Sequence, residues 1–123
     1  MEIPIGYCLG YPKRLHIGLA PLDLARVGTL TFAAPDPLRF PCLNLAREAL
    51  SAGPSHPVVL NATNEIAVQA FLDGRISFPG IARLIEKMLA KHSLTSMPDL
   101  EDILELDAQT RTRSEEAIGK YEW

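Results

Sequence analysis

The sequence predicts a mainly α-helical fold: a four-helix-bundle-like domain over residues 38–123, preceded over residues 1–37 by an extended, proline-rich segment with one short strand. Three observations lead there. Chain breakers crowd the first 37 residues. From Pro41 onward apolar residues recur every three or four positions, and the later segments open and close on residues that start and stop helices.

In the first segment Pro4, Pro12, Pro21, Pro35 and Pro37 stand among four glycines, a density that interrupts helical hydrogen bonding. Thr29-Leu30-Thr31-Phe32 alternates polar and apolar side chains between Gly28 and Ala33-Ala34-Pro35, the pattern of a half-buried strand. One strand leaves its backbone N–H and C=O groups unmet, so it needs a sheet that no other part of this sequence supplies.

The first helix is expected over Pro41–Ala52, with proline at its start, Gly53-Pro54 as its stop, and Leu43, Ala46, Ala49 and Leu50 facing inward. A second should run from Ala62 to Asp73, capped by Asn61 and ended by Gly74, with Ile66, Ala70 and Phe71 on one face. The third follows Ser77, carries Pro79 in its first turn, and repeats Ile81, Leu84, Ile85, Met88 and Leu89 along one stripe. A fourth opens at Asp99, with Asp102 three residues on to meet first-turn N–H donors and Leu100, Ile103 and Leu104 turned inward. The expected core is Leu43, Leu50, Ile66, Phe71, Ile81, Leu84, Ile85, Met88 and Ile103. Four such helices bury their stripes most simply against one another.

Composition narrows the function. With 47% hydrophobic and 22% charged residues, the 123-residue chain has the makings of one folded core. A formal net charge of -3 is the wrong sign for a phosphate-backbone surface, and Lys13-Arg14 beside Tyr11 reads as a solvated loop, so no nucleic-acid partner is expected. No apolar run reaches the roughly 18 residues of a membrane span, and no signal-peptide pattern occurs at the N-terminus, so no membrane partner is expected either. Cys8 and Cys42 lie far apart without metal-ligand spacing, which fits a reducing, cytoplasmic setting.

The residues able to do chemistry read as structural. Glu101, Asp102, Glu105 and Asp107 fall on an amphipathic helix and form a solvated face rather than a magnesium site; Asp107 lies nearest the apolar side. Asn61, Asn64 and Glu65 cap a helix start, and His16, His56 and His92 are remote in sequence with no triad pattern. Neither a dinucleotide-binding glycine loop nor a P-loop is present, so no catalytic, cofactor-binding or metal residue is assigned to this chain.

Four longer segments carry a resemblance. Leu22-Asp23-Leu24, Leu30-Thr31-Phe32-Ala33-Ala34-Pro35-Asp36, Arg39-Phe40-Pro41-Cys42-Leu43 and Leu60-Asn61-Ala62-Thr63-Asn64-Glu65-Ile66-Ala67-Val68 closely resemble the 1-deoxy-D-xylulose 5-phosphate reductoisomerase family. Ile3-Pro4-Ile5, Tyr7, Leu9 and Tyr11-Pro12 look like the stretch joining that family's catalytic domain to its C-terminal helical domain. Leu100-Glu101-Asp102-Ile103-Leu104, Asp107-Ala108 and Arg111 resemble its last helical segment.

The resemblance implies the C-terminal part of an enzyme that converts 1-deoxy-D-xylulose 5-phosphate to 2-C-methyl-D-erythritol 4-phosphate in the non-mevalonate route to isoprenoids. NADPH and a divalent cation, Mg or Mn, would be held by absent domains. Those catalytic and NADPH-binding domains would be this chain's partners, with a homodimer as a further possibility, and the Thr29 to Phe32 strand would join their sheet. Met1 alone matches a position lining the family's substrate pocket. Glu2 stands where the family usually has Arg, Thr63 and Thr110 where it usually has Ala, and Tyr121-Glu122-Trp123 has no counterpart. The alternative is a free-standing, non-catalytic helical interaction module.

Overall fold

A computed structural model describes residues 2–97 and 99–120; Met1, Pro98 and the Tyr121-Glu122-Trp123 tail lie outside the described residues. It is mainly helical, with α1 (Glu2–Gly10), α2 (Leu24–Val27), α3 (Cys42–Ala52), α4 (Ser55–Leu72), α5 (Phe78–Lys91) and α6 (Leu100–Lys120) in chain order. Two compact units result, Met1–Ala33 and Ala34–Trp123.

The first unit departs from the expectation of a purely extended segment. Helix α1 forms despite Pro4, because the proline falls in the first turn, where its missing N–H has no intrahelical acceptor to lose. Helix α2 is a single turn capped by Asp23, whose Oδ1 accepts from the N–H groups of Ala25 at 2.9 Å and Arg26 at 3.3 Å. The expected strand over Thr29–Phe32 is absent, as is any strand among the described residues. Alternation there sets which way side chains point, but the ladder has no second strand to bond to.

In the second unit α4 lies centrally and packs against α3, α5 and α6. It starts at Ser55, well before the expected Ala62. Pro57 is the third residue of its first turn, a tolerated place, so the Gly53-Pro54 break ends where Ser55 begins. Asn61 is therefore not a cap but a mid-helix residue bonded to Glu65 one turn later at 3.1 Å. The C-terminal stop is the expected Gly74, at φ 72°, with Gly74 N–H donating to Phe71 O (3.0 Å) and Arg75 N–H to Ala70 O (2.8 Å).

Helix α5 matches its expected start: Ser77 Oγ accepts from Gly80 N–H at 3.3 Å, with Pro79 in the first turn. Helix α6 opens on a reciprocal cap in which Asp102 N–H donates to Asp99 Oδ1 (3.1 Å) and Asp99 N–H to Asp102 Oδ2 (3.4 Å). It continues to Lys120.

The core gathers Val59, Ala67, Ala70, Ile76, Leu84, Met88, Leu106, Ala117 and Ile118, with Ile66 and Ile81 packed on its edge. Leu84, Ile85 and Met88 are buried as expected. Leu43 and Leu50 are exposed instead, and Phe71 and Ile103 lie at the margin of the core, each 37% exposed; α3 turns Ala49 inward, so the large side chains of its stripe point away. Between α4 and α6 the buried residues are small: Ala62, Thr63 and Ala67 against Thr110, Ser114 and Ala117. The Ser114 hydroxyl donates to Thr110 O at 2.8 Å and lies 3.3 Å from Thr63 Oγ1, which meets the polar groups this close approach buries.

Candidate functional site

Three of the four carboxylates grouped in the sequence, Asp102, Glu105 and Asp107, are engaged locally. Asp102 caps α6, Glu105 accepts from Gln109 at 3.0 Å, and Asp107 accepts from Arg111 Nε at 2.6 Å. Arg111 also donates to Glu65 Oε2 at 2.6 Å, tying α6 to α4. Hydrogen bonds from Arg111 and then Asn61 hold the Glu65 carboxyl below its usual range. Arg75 makes a second tie to α6, donating to both Glu115 oxygens at 2.9 and 3.3 Å and lowering that carboxyl likewise. Among the described residues no three His, Cys, Asp or Glu side chains converge where a cation would sit. Cys8 and Cys42 are free and exposed. Met1 lies outside the described residues.

The histidines, remote in sequence, are partly brought together. His56 and His92 meet edge to face with ring centroids 4.8 Å apart, and His92 Nε2 lies 2.7 Å from Ser55 Oγ. No spacing rule finds this contact, because Ser55 opens α4 and His92 follows the end of α5, 37 residues apart in sequence. Burial first, then His56 and Arg113, keep the His92 imidazole below its ordinary value and so neutral near pH 7. A serine–histidine contact of this kind is not a hydrolytic site. Ser55 is 0% exposed and its Oγ already accepts the Thr95 N–H at 3.1 Å, so no carbonyl can reach it.

The surface with functional content is apolar. From Tyr11 to Phe40 every residue is exposed, Phe32 at 86% and Leu38 at 93%, and Ile3, Ile5, Tyr7 and Leu9 of α1 are exposed as well. In the second unit a cleft of about 490 Å³ is lined by Leu38, Phe40, Val68, Phe78 and Ile81 among others. In each unit, exposed apolar side chains in such number are characteristic of surface that another protein surface covers.

The family model described as the DXP reductoisomerase C-terminal domain matches residues 1–113. The chain belongs to the DXP reductoisomerase family. Its sequence is 48% identical over 121 residues to the 1-deoxy-D-xylulose 5-phosphate reductoisomerase of Pseudomonas putida (strain W619), covering 98% of this chain and 31% of that protein. Its identity to the Geobacter metallireducens reductoisomerase is 49% over 119 residues, covering 97% and 31%.

Among solved structures, the Zymomonas mobilis DXP reductoisomerase in complex with NADPH superposes with a TM-score of 0.80 at 40% identity, covering 94% of this chain and 31% of that one. A DXP reductoisomerase in complex with NADPH, fosmidomycin and magnesium gives 0.80 at 37%, covering 96% and 31%. The chain thus spans about a third of the length of the reductoisomerases it matches. The helical domain is the family's, and no helix among the described residues is long and apolar enough to cross a membrane.

Proposed function

We propose that this chain is the C-terminal buttress of a working DXP reductoisomerase, an enzyme converting 1-deoxy-D-xylulose 5-phosphate to 2-C-methyl-D-erythritol 4-phosphate in isoprenoid biosynthesis. The observation that carries the reading is the uncovered apolar surface of residues 1–40 in a chain matching only 31% of its relatives' length. Residues 1–37 are the linker to a catalytic domain and 38–123 are the bundle. The described carboxylates do not fit a metal centre and the sequence has no phosphate-binding glycine loop, so the groups holding NADPH and the divalent cation belong to the upstream two-thirds. This chain's residues supply apolar cover and rigidity. Met1, at a pocket-lining position of the family, is the one residue assigned to the substrate pocket wall. The whole enzyme works in the cytoplasm as a homodimer.

A chimera tests this reading. With this chain replacing the matching portion of the Pseudomonas putida enzyme, purified protein should oxidise NADPH only when 1-deoxy-D-xylulose 5-phosphate and magnesium are present. A soluble, folded chimera no more active than the parent truncated at the same junction would overturn it. A free-standing interaction module has no comparable support, because it leaves the apolar side chains of residues 1–40 in water.

A further inference from the structure

The stretch following α5 is fastened to the start of α4 at three points. His92 Nε2 meets Ser55 Oγ at 2.7 Å, Thr95 N–H donates to the same oxygen at 3.1 Å, and the Leu94 side chain lies against Gly53 so closely that an added Cβ there would stand 2.6 Å from it. Behind His92 is the His56 ring, whose Nδ1 is buried with no hydrogen-bond partner. An imidazole pair in which one nitrogen is a buried orphan and another completes a serine's bonding depends on protonation state, and imidazole is the side chain that changes state just below neutrality.

We propose that His92, backed by His56, is a pH-sensitive clasp: it holds residues 92–97 onto the N-terminus of α4 near neutrality and lets them go in mild acid. In the neutral ring carrying its proton on Nδ1, the Ser55 hydroxyl donates to Nε2 while accepting from Thr95, so both its roles are filled. A proton on Nε2 turns that nitrogen into a donor. Ser55 then has two donors facing its oxygen, and its own hydrogen, fully buried, loses its acceptor.

The surrounding charges bear on the same step. Lys91 of α5 and Arg113 and Lys120 of α6 line the cavity beside His92 and oppose a new cation, while Glu116 of α6 in that cavity and Asp102 and Glu105 in the next one partly offset them. On the outer side of His56, Glu48 of α3 and Glu86 of α5 line the neighbouring hollow. Burial and the Arg113 guanidinium act in the same sense as the serine geometry, keeping His92 neutral while the clasp is shut.

Amide hydrogen exchange on the intact 123-residue chain decides the matter. Corrected for intrinsic rates, protection of the Thr95 amide should fall at least about tenfold between about pH 7.5 and about pH 5, while that of Ala67 in α4 holds. In His92→Gln, which keeps an uncharged donor and acceptor, Thr95 protection should be flat over the same range. Constant protection in the unsubstituted chain, or an equal fall in the variant, would overturn the clasp. Should the variant not fold, the His92 ring titration followed by NMR takes its place: a midpoint that does not track the loss of Thr95 protection refutes the proposal.

Discussion

Leu84→Ala is the sharpest test of the helical core. Leu84 is 0% exposed and is the largest fully buried side chain, placed on α5 among Val59, Ala67, Ala70 and Met88. The substitution removes three carbons, roughly 2.4 kcal/mol at about 0.8 per methylene. Its neighbours are held by helix backbones and collapse only in part, so a residual cavity raises the total to about 3 to 4 kcal/mol. With a urea slope of about 1 to 2 kcal/mol per molar, the unfolding midpoint followed by far-ultraviolet circular dichroism should fall by roughly 2 M with the slope unchanged. Leu50→Ala is the control, since Leu50 belongs to the sequence-derived core yet is 74% exposed and should shift stability by less than about 0.5 kcal/mol. Equal losses at the two positions would refute the packing of α5 against α4 described above.

Two further outcomes follow from single contacts. Gly53→Ala should destabilise the bundle by about 1 to 3 kcal/mol in the same assay, because φ 129° and ψ 174° suit glycine alone and the new methyl meets Leu94; a neutral result would remove the close approach. Acid should weaken the fold in two stages, read as thermal midpoints against pH. His92 is depressed when folded, so its contribution is complete above its ordinary 6.5 and fades as pH falls toward the lower folded value; Glu65 and Glu115, also depressed, contribute fully above 4.5 and lose that contribution below it. Added salt should shrink the second stage, which rests on exposed ion pairs, more than the first, and midpoints level down to pH 4.5 would contradict the histidine stage.

Legibility followed the physics of each element. Helix α5 could be read almost whole because Ser77, Pro79 and the Ile81 to Met88 stripe are local signals that packing did not override. The start of α4 could not: the second helix is expected only from Ala62 behind Asn61, whereas α4 begins at Ser55, with Pro57 in its first turn where a helix has no bond to lose. The α3 stripe misled for another reason. Periodicity finds the apolar face of a helix, but burial depends on what that face meets, and here only Ala49 is fully covered. The seam between α4 and α6 was invisible because close helix approach selects small residues, which carry little hydrophobic signal; Thr63 and Thr110, noted in the sequence only as departures from alanine, turn out to be buried there. The Ser55 and His92 contact joins positions 37 apart and has no local signature at all.

The N-terminal third shows the same division from the other side. Thr29-Leu30-Thr31-Phe32 carries the alternation of a strand, yet it joins no ladder, its Thr29 N–H donating instead to the nearby Val27 O at 2.9 Å, and Leu30 and Phe32 both stand in solvent. Alternation is a property of one segment, whereas a strand is a property of two, and the second must come from another chain segment. The bundle needs nothing of the kind, because the four helices from Cys42 onward bring their own partners. The helical part is therefore what the chain can bury against itself, and the segment whose expected strand did not form is one whose cover, on the proposed reading, lies in the other two-thirds of the enzyme.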